Sequence, residues 1–243
     1  VRDEESDDGA QAAVAARLPG AAALGLVAPP MGVVVPATRL ADAWWTAHVL
    51  TERAARQRTT DRRVLATVWW YSVSSVLLTP ALAGLVTGRP LSARLSDTRL
   101  HLLSGGVPIA ATTAAGHSTD LEADLRGTLT AVVGAVAEAG GTRTRPLWAI
   151  ATDSLANRLL ALGRAVGDVD AVTALAGPLA AAIGAPMPAP RYVEVVGTRF
   201  TRRASCCLLY RVPHEAVCTS CPRRDPAERQ VLLEDAAARI PPA

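Results

Sequence analysis

The sequence predicts a predominantly helical α+β protein: a helical body with a few strands, followed by a small C-terminal segment. Three observations point there. Apolar stripes at helical spacing fill the middle of the chain, strand-type residues gather around positions 92–106 and 191–212, and all four cysteines lie between Cys206 and Cys221. With 243 residues, half of them hydrophobic, the chain has enough material for a buried core.

The opening VRDEESDDGA is acidic and lacks a basic stretch leading into an apolar run, so it reads as neither a signal nor a transit peptide. Residues 1–17 are expected to be a disordered acidic tail and the protein cytoplasmic. Residues 18–185 form the expected helical body, and 186–243 the C-terminal segment. Leu18 to Pro36 reads as loop, with a strand near Gly32–Val35. Thr38 to Arg58 places Leu40, Trp44 and Ala47 at helical spacing, and Asp61 is a natural N-cap for a helix running to Pro80.

From Val64 to Gly88 there is no charge, while Arg62, Arg63 and Arg89 flank the run, which is long enough to span a bilayer. Trp69, Trp70 and Tyr71 sit inside its first half rather than at its ends, and Pro80 and Gly84 interrupt the remainder. A buried helical hairpin is therefore expected, with at most peripheral attachment to the inner face of the cell membrane.

Ser92 to Gly106 alternates Leu with polar residues and predicts a strand pair. Thr119 and Glu122 form a capping box for a helix whose face carries Leu121, Leu125, Leu129, Val132, Val133 and Val136, ending at Gly140-Gly141. Pro146 suits the first turn of the next, with Trp148, Leu155, Leu159 and Leu162 on one stripe. Asp168 starts a third, broken at Gly177-Pro178, and PMPAP at 186–190 marks a boundary. A last short helix begins at Asp225-Pro226. Core packing accounts for all of these stripes and for the five tryptophans.

All 25 basic residues are arginine, and a formal charge of +3 without a basic stripe argues against a nucleic-acid surface. No Gly-x-Gly occurs, so the dinucleotide fingerprint is missing, and no G-x-S-x-G elbow points to serine catalysis. His48, His101 and His117 form no metal-binding spacing, and His214 reads as a surface loop residue.

The chemistry therefore rests on Cys206, Cys207, Cys218 and Cys221, spaced C-C-x10-C-x2-C. In a reducing compartment, crowded thiols are better read as metal ligands than as disulfides. Zinc normally uses two C-x-x-C knuckles, and adjacent cysteines in extended backbone point to opposite faces, so they serve a single ion poorly. A [2Fe-2S] cluster offers two metals and is usually held by four thiolates. On spacing alone the iron–sulfur reading leads, with zinc and uncoordinated or disulfide-bonded cysteines as alternatives.

The run RRASCCLLYRVPHEAVCTSCP resembles the C-terminal signature of the FhuF-type ferric-siderophore reductases, at Ser205, Cys206, Cys207, Leu208, Tyr210, Cys218, Cys221 and Pro222. Pro213, His214 and Glu215 stand where members often carry glycines. The resemblance implies a [2Fe-2S] cluster on the four cysteines and one-electron reduction of a ferric siderophore, of hydroxamate type, with release of ferrous iron. A ferredoxin-like protein or reductase would supply the electron. Arg202, Arg203, Arg211, Arg223 and Arg224 are then candidates for raising the cluster's potential or for docking a donor or substrate. A non-catalytic iron–sulfur sensor and a zinc-stapled binding domain are the alternative functions.

Overall fold

The computed structural model describes residues 8–113 and 120–240. In chain order the elements are α1 (Asp8–Ala15), β1 (Val33–Pro36), α2 (Ala43–Gln57), α3 (Arg62–Val86), β2 (Thr98–Leu103), β3 (Val107–Thr113), α4 (Leu121–Gly140), α5 (Thr144–Val166), α6 (Val169–Ala174), α7 (Ala176–Ile183), β4 (Tyr192–Val195), β5 (Thr198–Thr201) and α8 (Pro226–Ala238). The expected class, predominantly helical α+β, is the observed one.

Helix α3 is the centre of the molecule, in contact with α5, α4, α2 and the sheet through β3. Asp61 caps it, accepting the Val64 N–H at 3.1 Å. The expected hairpin is instead one continuous 25-residue helix running through Pro80. A proline inside a helix costs roughly 3 kcal/mol, whereas each buried leucine returns about 1.5–3 kcal/mol. Leu77, Leu78, Ala81 and Leu82 on either side of Pro80 are all buried, so packing outweighs the break. The helix is long and apolar enough to cross a membrane, and 78% of its most apolar window is buried within the protein itself.

The antiparallel sheet runs in the order β1-β2-β3, with Val34 opposite His101 and Leu100 opposite Ala111. Leu100, Leu102 and Ala111 face the core, and Arg99, His101 and Thr112 face away from it. Helix α1 lies within the stretch expected to be disordered. Val14 is fully buried, and the Gln11 amide donates to the carbonyls of Leu26 and Ala111, which ties the helix to β3. Its acidic surroundings hid these two anchors.

Helix α4 begins at Asp120, whose carboxylate accepts the Ala123 N–H at 2.9 Å, and ends at Gly141 in the left-handed region. The Thr119 half of the expected capping box lies outside the described residues. Helix α5 buries Trp148, Leu155, Leu159 and Leu162 as its stripe requires. The break expected at Gly177-Pro178 falls earlier, at Leu175, and Pro178 is accommodated in the first turn of α7. Trp44, expected in the core, is 76% exposed at the start of α2, while Trp69 and Trp70 are fully buried.

The hairpin β4–β5 delivers the chain to the cysteines. Arg199 on β5 ion-pairs with Glu194 at 2.5 Å and Asp170 at 2.8 Å, and Arg164 of α5 donates to the Arg199 carbonyl at 2.7 Å. The hairpin is thereby pinned to α5 and α6 just before residue 203.

Gly84, one of the two expected interruptions, marks a close crossing rather than a break: a Cβ there would meet the Arg89 carbonyl oxygen and the Leu91 nitrogen, both at 2.7 Å. Because both are backbone atoms, Gly84→Ala should destabilise the fold by about 1–3 kcal/mol, visible as a lower midpoint in denaturant melts; an unchanged midpoint would show that the crossing can move apart.

Candidate iron–sulfur centre

The cysteine segment meets α3 and α5 through Tyr71 and Asp153, and none of the four cysteines is in a disulfide. Cys207 and Cys221 are buried, while Cys206 and Cys218 are half-buried. Leu208, directly after the adjacent pair, adopts a left-handed conformation at φ 61. That turn brings the Leu208 N–H to the Cys206 sulfur and the Leu209 N–H to the Cys207 sulfur. The next residues form a single 3₁₀ turn, Leu209–Arg211, and Val212 packs with Val64 and Val68 of α3. Asp61, the α3 cap, also pairs with Arg211 at 3.3 Å, which fixes the loop to the start of that helix.

The second pair sits on a tight turn, with the Cys221 N–H donating to the Cys218 carbonyl at 3.1 Å. Arg224 holds this turn from outside, donating to the carbonyls of Cys218 at 3.1 Å and Val217 at 2.6 Å while paired with Glu228 of α8. Arg229 reaches the Cys221 carbonyl at 3.4 Å. Helix α8, capped by Asp225, thus serves as a brace for the cysteine loop.

Arg203 is the centre of the site. Its side chain is 2% exposed, and Nη1 donates to the Cys218 sulfur at 3.2 Å and to the Cys207 sulfur at 3.7 Å. The guanidinium stacks over the Tyr71 ring, 4.7 Å from its centroid, a contact worth about 2 kcal/mol where water is excluded. Its Nε lies 3.5 Å from Asp153 of α5. Asp153, itself 2% exposed, accepts the N–H groups of Ala204 at 2.8 Å and Ser205 at 3.0 Å and the Ser205 hydroxyl at 2.5 Å. A single buried carboxylate therefore fixes the three residues that lead into Cys206.

Burial works against the Arg203 charge, yet the surrounding Tyr71, Cys207 and Cys218 outweigh it and raise its pKa. Cys218 donates a hydrogen bond to Cys207, which lowers the Cys207 pKa and raises that of Cys218; Arg203 and the Leu209 N–H further favour a Cys207 thiolate. Burial pushes the Cys206 thiol up, against the Leu208 N–H. Burial likewise pushes the Tyr71 phenol up, with Arg203 opposing.

Of the five arginines expected near the cysteines, only Arg203 touches sulfur. Arg224 and Arg211 are structural clamps, Arg223 stacks on Tyr210 at 4.9 Å, and Arg202 is exposed. His214 is exposed in a left-handed turn at φ 68; His101 hydrogen-bonds Thr112, His48 stacks on Trp44, and His117 lies outside the described residues. Sequence reasoning missed Asp153 and Tyr71. A lone acid inside the apolar stripe of α5 was the available signal for the first; nothing local distinguished the second.

One feature of the chain suits a bound anionic cluster. Nη2 of Arg203 is buried with no hydrogen-bond partner, leaving a donor for an acceptor that the described residues do not supply. Among the described residues, no three Cys, His, Asp or Glu side chains are grouped to hold one metal ion. A cavity of about 600 Å³ lies elsewhere, between α1 and the outward face of the sheet; Gln11, Arg99, His101 and Thr112 line it, and no residue of the cysteine segment does.

Residues 203–223 match the FhuF 2Fe-2S C-terminal domain. The matched stretch begins at the buried arginine and ends just past the second cysteine pair, and it indicates a [2Fe-2S] cluster as the cofactor. Among curated proteins no match is found.

Removing the Asp153 carboxylate strands a buried guanidinium and two backbone N–H groups. Asp153→Ala should cost about 3–5 kcal/mol, the range for breaking a buried ion pair from one side. Thermal unfolding of the purified variant checks this, and a melting temperature equal to wild type would remove Asp153 from its anchoring role.

Proposed function

We propose that this chain is a cytoplasmic ferric-siderophore reductase in which Cys206, Cys207, Cys218 and Cys221 hold the [2Fe-2S] cluster. The observation that carries the reading is a FhuF-type segment with four unbridged thiols, two of them in contact with a buried, partly unpaired arginine. When bound, the cluster supplies one-electron chemistry. Siderophores hold iron with hard anionic oxygens, which bind the ferric ion far more strongly than the ferrous, so one electron delivered to the chelate loosens it.

The chain's own part is electrostatic and structural. Arg203 offers a fixed positive charge in a low-dielectric setting, favouring the more negative, reduced state of the centre. The Leu208 and Leu209 N–H groups act in the same direction on the two adjacent sulfurs. Asp153 and Tyr71 keep the guanidinium in place. Cys206 and Cys218 are half-buried, and Tyr210, Arg211 and Arg223 of the same segment are exposed. Exposed arginines in this segment suit an acidic ferredoxin-like donor or an anionic chelate.

Protein reduced under anaerobic conditions and mixed in stopped flow with ferric hydroxamate siderophores, with a ferrous chelator present, should be reoxidised rapidly and yield one ferrous complex per electron. Slow reoxidation that does not depend on the chelate offered would instead favour an iron–sulfur sensor.

A further inference from the structure

We infer that the cavity between α1 and the outward face of the sheet binds an aliphatic carboxylic acid of medium chain length, its carboxylate held at Arg99, His101 and Thr112 and its chain laid against the alanines of α1. The site is independent of the iron–sulfur centre, because no residue of the cysteine segment lines it.

The cavity is a built feature of the fold. At about 600 Å³ it has room for roughly twenty waters at about 30 Å³ each, far more than a packing flaw leaves, and it falls within the range of ligand pockets. Helix α1 lines it with Ala12, Ala15 and Ala16, side chains too short to fill the space between helix and sheet. The helix cannot settle inward, since Gln11 pins it. The Gln11 amide donates to the Leu26 carbonyl at 2.7 Å and the Ala111 carbonyl at 3.0 Å, and its Oε1 accepts the Thr113 N–H at 2.8 Å. The Gly25 carbonyl accepts the Ala111 N–H at 3.3 Å, which ties the following loop to the same strand. A pocket formed in advance spares its ligand the cost of ordering the walls.

Strand register sets the chemistry of those walls. On β2, Arg99 and His101 are two residues apart and share a face; Thr112 of β3 lies opposite Arg99, and Val34 of β1 lies opposite His101. His101 is 7% exposed, and its ring has one hydrogen-bond partner among the described residues, the Thr112 hydroxyl, 3.0 Å from Nε2. Burial and the Arg99 charge push the His101 pKa down, so the imidazole is neutral and the charge of the cavity is that of Arg99. No Asp or Glu lines the cavity, and among the described residues the Arg99 side chain has no ion-pair partner. A guanidinium without a counter-charge, beside a hydroxyl and a neutral imidazole, suits one carboxylate. Leu26, Val27 and Val34 continue the apolar wall, and Val27 and Val34 stand 48% and 52% exposed, surface that a bound chain would cover. No aromatic ring lines the cavity, so it matches an aliphatic chain rather than a ring that would stack.

The test is calorimetric titration of the whole chain with decanoate, kept below its micellar concentration, and with decanol as the uncharged probe. One decanoate should bind per chain, at least about tenfold more tightly than decanol. Arg99→Gln should weaken decanoate binding about ten- to hundredfold, the range for losing a hydrogen bond to a charged group, and leave decanol unaffected. Ala15→Phe, which fills the space, should remove binding of both; if that variant does not fold, Ala12→Phe at a more exposed position of the same helix replaces it. Equal affinity for decanoate and decanol, no binding of either, or unchanged decanoate affinity in Arg99→Gln or in the filled variant overturns the site. Binding to phosphatidylglycerol vesicles without binding of monomeric decanoate would make this face a membrane contact and would overturn it equally.

Discussion

A guanidinium with 2% exposure sits at the junction of helical body and cysteine loop, and the site is organised around keeping that charge satisfied. Left alone in an apolar interior, such a charge costs several kcal/mol. Asp153 at 3.5 Å is too distant to offset it alone and accepts its best hydrogen bonds from Ala204 and Ser205. The Tyr71 face and the sulfurs of Cys207 and Cys218 supply the rest. Charge balance at Arg203 thus ties the C-terminal segment to α3 and α5 and ties both to the thiolates.

The same constraint explains why the body is built on a long, uncharged helix. Tyr71 and the Val64–Val68 patch lie on one stripe of α3, which faces the cysteine loop, while Trp69 and Trp70 send their indole N–H groups to Gly106 and Leu147 on other sides. Interrupting α3 at Pro80 would loosen the platform from which Tyr71 meets Arg203. Ser74 and Ser154, hydrogen-bonded to each other at 2.7 Å, fix α3 against α5 one turn after Tyr71 and directly after Asp153. The relative placement of those two side chains is therefore set by helix packing rather than by the loop.

Much of this was legible in the sequence, for reasons that differ by element. Helix α4 could be read because its stripe from Leu125 to Val136 and its terminal Gly141 agree, although the capping carboxylate is that of Asp120, one residue after the expected Thr119. The four cysteines could be read because their spacing serves few chemistries. Pro80 misled because local propensity was weighed without the burial on both sides of it, and Gly177-Pro178 because a proline in a first turn starts a helix rather than ending one. Asp153 and Tyr71 lie 50 and more residues from the cysteines, and only the α3–α5 packing makes them neighbours of Arg203. Long-range polar contacts of this kind leave no periodic trace in a single sequence.

The central claim is that the sulfurs around Arg203 hold two irons. Iron, zinc and acid-labile sulfide measured on anaerobically purified protein test this most directly. The account predicts about two irons and about two sulfides per chain with negligible zinc; one zinc per chain without sulfide, or disulfide-bonded cysteines without metal, would contradict it.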